Sequence, residues 1–102
     1  MIEAKIIAAL AALAQETRLR ILRFLVTKGE SGASAGEIGE AVGAAASRAS
    51  FHLATLTEAG LIRSERQSRS IIYRVNFEAM GALTGYLVHE CCKDHEDVVK
   101  CC

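Results

Sequence analysis

Apolar side chains recur at helical spacing in five stretches of this chain, and a sixth stretch alternates instead. Ile2, Ile6, Ala9, Leu10 and Leu13 predict an amphipathic helix over residues 2–13. That stripe is rich for so short a helix, which suits packing against a second copy as well as against the chain's own core. A second helix covers residues 17–25, with Leu22, Leu25 and Val26 as inward candidates and Lys28-Gly29 as its stop. Residues 30–33 carry the Ser and Gly of a loop. Ser34 followed by Glu37 has capping-box spacing and opens a short helix through Ile38, Ala41 and Val42, after which Gly43 supplies a turn.

The fourth helix is the centre of the pattern. Ala45, Ala49, Leu53, Leu56 and Gly60 form one stripe, while Ser47, Phe51, Ala54 and Glu58 fall opposite. Ser47, Arg48 and Phe51 therefore project outward from its first turns, and Gly60 suits the left-handed residue that ends a helix. Residues 61–66 and 71–76 read as two strands about the polar tip Gln67-Ser68-Arg69-Ser70, with Ile71, Tyr73 and Val75 alternating against Ile72 and Arg74. A last helix over residues 77–92 shows Phe77, Met80, Thr84, Leu87, Val88 and Cys91 on one face. The expected fold is mainly α with a two-stranded β-wing, in the order α-α-α-α-β-β-α. This is the layout of a winged helix-turn-helix, whose reading helix puts its N-terminal residues into the DNA major groove.

The residues then become specific. Ser50-Phe51-His52-Leu53, Leu56 and Ala59-Gly60-Leu61-Ile62 resemble the recognition-helix signature of the ArsR/SmtB family of metal-responsive repressors. Thr17-Arg18-Leu19-Arg20-Ile21-Leu22 through Leu25 resembles that family's scaffold helix, and the likeness runs over residues 2–92. It implies a homodimer paired through the first and last helices, with double-stranded operator DNA as partner. It also implies DNA contacts from Ser47, Arg48, Ser50, Phe51 and His52 on the helix, and from Arg66, Gln67, Arg69 and Tyr73 on the wing. Two of these have a second reading. His52 lies close to the core side of its helix, where a histidine is more often structural, and Tyr73 suits core, contact or both. Arg18, Arg20 and Arg23 are better explained by a solvated outer face than by phosphates.

A chain of 102 residues, half of it apolar and without proline, suits one compact helical domain with a modest core. The net charge is zero, but its distribution is uneven. Residues 45–75 hold five basic and two acidic side chains, against two and five in residues 76–102. The positive surplus thus falls on the reading helix and wing, where phosphates would lie. No stretch approaches membrane-spanning length. The apolar run Ile6–Ala14 is too short, and Glu3 too close to Lys5, for a secretion signal, so a cytoplasmic protein is expected.

The four cysteines come as two adjacent pairs near one end, Cys91-Cys92 and Cys101-Cys102, rather than spread as a disulfide framework. Residues 1–92 read as the DNA-binding and dimerisation domain and residues 93–102 as a flexible cysteine-bearing tail. Thiolates are soft ligands suited to thiophilic ions. Successive helical residues point about 100° apart, so Cys91 and Cys92 can converge on one ion only where the helix ends. The tail can span up to roughly 30 Å to bring a third sulfur. This resembles a subset of arsenic repressors with a C-terminal cysteine pair and a further downstream cysteine. It implies Cys91, Cys92, Cys101 and Cys102 as the ligand set, with arsenite as inducer and antimonite or methylarsenite as variants. The family's other sites are missing: Ala35–Glu40 has no Cys or His, and the last helix lacks the zinc-site spacing. Two rivals use the same thiols. A zinc or cadmium site would combine Cys91 and His95, four apart on a helical face, with the tail. A thiol-oxidation or persulfide switch would use the pairs themselves. Asp94, Glu96 and Asp97 should raise nearby thiol pKa values, so that binding eases as pH rises. No phosphate-binding glycine loop, catalytic triad or catalytic cofactor motif is present, so an enzyme is not expected.

Overall fold

The computed structural model describes residues 2–101. Helix α1 spans Glu3–Leu13, α2 Glu16–Lys28, α3 Ala35–Val42 and α4 Ala46–Glu58. Strands β2 (Ile62–Gln67) and β3 (Ser70–Val75) follow, then α5 (Phe77–Gly85), which widens into a π-type segment over Tyr86–Cys91, and finally α6 (Glu96–Cys101). The expected architecture holds, with three adjustments.

The first is a third strand. Ala33–Ser34, expected in a loop, forms β1 and pairs antiparallel with β3, so that the sheet order is β1-β3-β2. Two residues carry no periodicity, which is why the pattern does not reveal them. What admits them is Gly32, with φ near +64: a Cβ there would stand 2.5 Å from the Tyr73 carbonyl oxygen. The wing itself is a hairpin in which Ile62 faces Val75 and Gln67 faces Ser70, leaving Ser68 and Arg69 at the tip.

The second concerns which side chains face inward. Ile21, Leu25, Ile38, Leu53, Leu56, Leu61 and Ile62 are fully buried and form the centre of the core. Val26, an expected inward residue of α2, is exposed, and Ile21 takes that role. On α1 the buried residues are Ile6, Ala9 and Ala12, while Ile2, Ile7 and Leu10 are exposed. On the last helix Leu83 is buried, with Met80, Tyr86 and Leu87 packed beside it, whereas Phe77 and Cys91 face out. Helices apolar on several sides do not disclose from periodicity which side meets the core.

The third is the tail. Lys93 and Asp94 both adopt positive φ and break the helix, and Glu96–Cys101 then forms a short helix where a flexible segment was expected. None of its described residues is buried.

Local signals explain the rest. Gln15 caps α2 by accepting from the Arg18 amide, and Ser34 and Glu37 make the expected capping box at α3. Gly43 ends α3 in the left-handed conformation, and Gly60 takes φ near +78 beyond α4. Gly39 lets the α3–α4 turn close, since a Cβ there would lie 2.9 Å from the Ala44 carbonyl oxygen.

Candidate nucleic-acid interface and thiol site

Helix α4 turns its apolar stripe inward: Ala49, Leu53 and Leu56 have no exposure. Geometry then forces Ser47, Arg48, Ser50 and Phe51 into solvent, and all four are exposed. Phe51 is 66% exposed, and its ring meets that of His52 edge-on. The N-cap, Ala45, has no side chain able to bond the first-turn amides, so these stay open to solvent or to an anion.

The wing extends the same surface. A groove of about 300 Å³ lined by Ser50, Ala54, Thr57, Glu58, Ser64 and Tyr73 joins α4 to the sheet, with Glu58 its one acidic member. Arg66, Gln67 and Arg69 are exposed at the hairpin's end. The Gln67 amide donates to Glu65 at 2.9 Å, and with the nearby Arg74 guanidinium it holds the Glu65 carboxyl below the usual range. Tyr73 is half-buried against the core, with Ala33 and Ser64 opposite it on either side.

His52 is different. It is only 8% exposed, and its Nδ1 lies 3.1 Å from an Arg18 guanidinium nitrogen. Burial first, then the charges of Arg18 and Arg48, push its pKa down, so the neutral ring accepts from Arg18. Arg18 also donates from Nε to the Ala12 carbonyl oxygen. It therefore ties α1, α2 and α4 together, where a solvated face was expected. Of the nine residues expected at DNA, His52 alone is buried, and Tyr73 is partly so.

Sequence patterns also give no sign of Asn76. Its side-chain oxygen caps α5 by accepting from Ala79 N, and its Nδ2 donates to the Gly60 carbonyl oxygen at 3.1 Å. One residue thus clamps the end of the reading helix to the start of the last one. Only its position just before a predicted helix hinted at the cap.

At the far end, Cys91 closes the π-type segment and Cys92 is its C-cap, bonded from its amide to the Leu87 carbonyl oxygen. Both thiols are free, as is that of Cys101, which donates to the Asp97 carbonyl oxygen at 3.3 Å. The Cys92 thiol pKa is raised by burial and by the adjacent Cys91 thiol, not by the acidic neighbours expected to do so. His89 pairs with Asp94 across the helix break, and His95 lies beyond it beside Asp97. Because Lys93 and Asp94 leave helical geometry, Cys91 and His95 do not share the helical face on which a divalent-metal pair was expected. Among the described residues no group of three His, Cys, Asp or Glu is placed to hold an ion. Cys102, the fourth expected ligand, lies outside the described residues.

Between α1 and α5 a shallow groove of about 360 Å³ is lined by Ile2, Lys5, Asn76, Ala79 and Ala82, with exposed Phe77 at the start of α5. No helix among the described residues is long and apolar enough to cross a membrane.

Known proteins bear out this architecture. A helix-turn-helix domain family matches residues 13–65. The chain is 39% identical over 85 residues to the HTH-type transcriptional regulator YgaV of Escherichia coli, covering 83% of this chain and 84% of that one. Among solved structures, an ArsR-like transcriptional regulator from Rhodococcus superposes with a TM-score of 0.77 at 25% identity, covering 95% of this chain and 89% of its own. A homodimeric winged helix-turn-helix DNA-binding domain from Mycobacterium bovis, described as a "possible ArsR-family transcriptional regulator", gives 0.68 at 26% identity, covering 90% and 85%. These relatives are DNA-binding regulators rather than enzymes. With its exposed reading helix, its wing and this kinship, the chain belongs to the ArsR family of winged helix-turn-helix transcriptional regulators.

Proposed function

We propose that the protein is a homodimeric repressor that occupies an operator until trivalent arsenic binds its C-terminal thiols. Two reading helices would enter successive major grooves of an imperfect inverted repeat, about 34 Å apart. Ser47 and Arg48 would meet base edges, Phe51 a thymine methyl, and Arg66, Gln67 and Arg69 the backbone. The second copy would cover the apolar side of α1 and α5 around Ile2, Ile7 and Phe77, which are exposed in the single chain.

The observation that carries the arsenic reading is the adjacent free thiol pair Cys91-Cys92 at the point where α5 and its π-type extension stop. Arsenous acid is uncharged near neutral pH. Each thiol that binds forms one S–As bond and breaks one As–O bond, and its proton leaves with the hydroxyl as water. Three such exchanges need no free thiolate at equilibrium and release no net proton. A divalent cation, in contrast, must expel the thiol protons, so a raised Cys92 pKa weakens it at neutral pH. The expected strengthening with pH therefore belongs to the cation and not to arsenite. The raised pKa also disfavours an oxidation switch, which works best with a low-pKa thiol. A third sulfur would come from the tail, Cys101 or Cys102, drawing α6 toward the helix end. That movement would bear on α5 and on the dimer angle that spaces the reading helices. A coupling of 1–3 kcal/mol, typical of such systems, suffices, and DNA must weaken arsenite binding by the same factor.

The test is fluorescence anisotropy on the protein's own upstream DNA, under reducing conditions, titrated with arsenite and separately with zinc. Release by arsenite alone is expected. Cys91→Ser with Cys92→Ser should still bind DNA but no longer release it. Release by zinc in the wild type, or arsenite release that survives both substitutions, would refute the reading.

A further inference from the structure

The reading helix and wing leave two strongly basic side chains unused. Arg20 and Arg23 lie on the exposed side of α2, one turn apart, and flank a groove of about 340 Å³ completed by Phe24, Thr27, Ala41 and Val42. Their helix-mate Arg18 is consumed by Ala12 and His52, but these two have no carboxylate within ion-pair distance among the described residues. No acidic side chain lines the groove.

Its position matters more than its charge. Val42 ends α3, Gly43 makes the left-handed turn, and α4 begins at Ala46. Four residues span at most about 14 Å, so Val42, at the α3 edge of the groove, lies within that distance of the first residue of α4. A major groove is about 12 Å wide, and phosphates recur every 3.4 Å along each strand. A basic groove at this distance meets the sugar-phosphate wall flanking the bases that α4 reads.

We infer that Arg20 and Arg23 form a phosphate clamp on the operator backbone, a third DNA-contacting element beside the reading helix and the wing. The inference rests on the DNA-binding reading above and adds an element to it. Such a clamp orients the dimer without reading sequence, so it strengthens operator and unrelated duplex alike. Each arginine that neutralises a phosphate contributes about 0.9 to the slope of log affinity against log salt.

The experiment is anisotropy with full-length protein on its own upstream DNA and on a scrambled duplex, from 50 to 200 mM salt. The variants are Arg20→Gln with Arg23→Gln, Arg20→Lys with Arg23→Lys, and Arg48→Gln. Because each of the two subunits carries both arginines, the double Gln variant should lower the slope by about 3.6, so that the wild type loses about 150-fold more affinity than it does across that range. The loss should be equal on both duplexes. The double Lys variant keeps the charge and should keep the slope, while Arg48→Gln should mainly erase the preference for the operator. A double Gln variant that keeps the wild-type slope, whatever its absolute affinity, overturns the clamp and leaves the DNA-binding reading intact. A wild type that binds neither duplex overturns both. If the double Gln variant fails to fold, Arg20→Gln and Arg23→Gln are tested singly, each expected to lower the slope by about 1.8 in the dimer, and a wild-type slope in both overturns the clamp.

Discussion

Asn76→Ala is the substitution that tests how the reading helix is joined to the sensing end. The Asn76 side chain makes two bonds at once, accepting from Ala79 N at 3.2 Å and donating to the Gly60 carbonyl oxygen at 3.1 Å. The first is an N-cap, worth about 1 kcal/mol. The second is a part-buried hydrogen bond of about 1 kcal/mol, whose loss leaves the Gly60 carbonyl without that donor. The backbone bond from Asn76 N to the Leu61 oxygen survives the substitution, so it does not enter the sum. Asn76→Ala should therefore cost about 2 kcal/mol, or roughly 8–16 °C in Tm for a chain of this size. Thermal and urea melts, compared at one protein concentration because dimerisation contributes, give the number. Asn76→Asp separates the two parts, since a carboxylate still accepts from Ala79 N but cannot donate to Gly60. It should recover about half of the loss. An Ala variant within about 0.5 kcal/mol of wild type, or an Asp variant as damaged as Ala, would refute the clamp. If the clamp also transmits the arsenite signal, the Ala variant should bind DNA yet be released less completely.

Other consequences follow from single contacts. His52 has a lowered pKa when folded, so below about pH 6.5 the unfolded chain takes up its proton first. This contribution to stability is complete above that pH and is lost as pH falls through it; His52→Gln should flatten the decline between pH 7 and 5, and an unchanged slope would count against the buried neutral ring. Gly32→Ala would place a methyl 2.5 Å from the Tyr73 oxygen and 2.7 Å from Ile72 Cγ2 at a positive φ. It should cost at least about 1–3 kcal/mol by melting, and a neutral result would show that β1 is not held this way. Arg48→Ala, fully on the surface, should leave Tm almost unchanged while costing about 1–3 kcal/mol of discrimination between operator and scrambled DNA. Equal losses on both duplexes would make Arg48 a phosphate contact instead.

The chain's local chemistry alone determined four helices, the wing hairpin and the helix after it, the Ser34–Glu37 capping box, the turn at Gly43, the left-handed Gly60 and the outward face of the reading helix. These follow from interactions between residues a few positions apart, which any reading of the sequence contains. Tertiary packing decided the rest. It chose Ile21 over Val26 and Leu83 over Phe77, because a helix apolar on several sides is oriented only by what it packs against. It fixed β1 through the fit of Gly32 beneath Tyr73, a contact 41 positions away in the sequence. Arg18, expected in solvent, was drawn to the end of α1 and the middle of α4, where it meets the buried His52. Packing also left Arg20 and Arg23 together beside the helix-turn-helix turn. The thiols stand between the two cases: adjacency of Cys91 and Cys92 was written in the sequence, but the break at Lys93 and Asp94 that separates them from His95 is a backbone choice no spacing revealed.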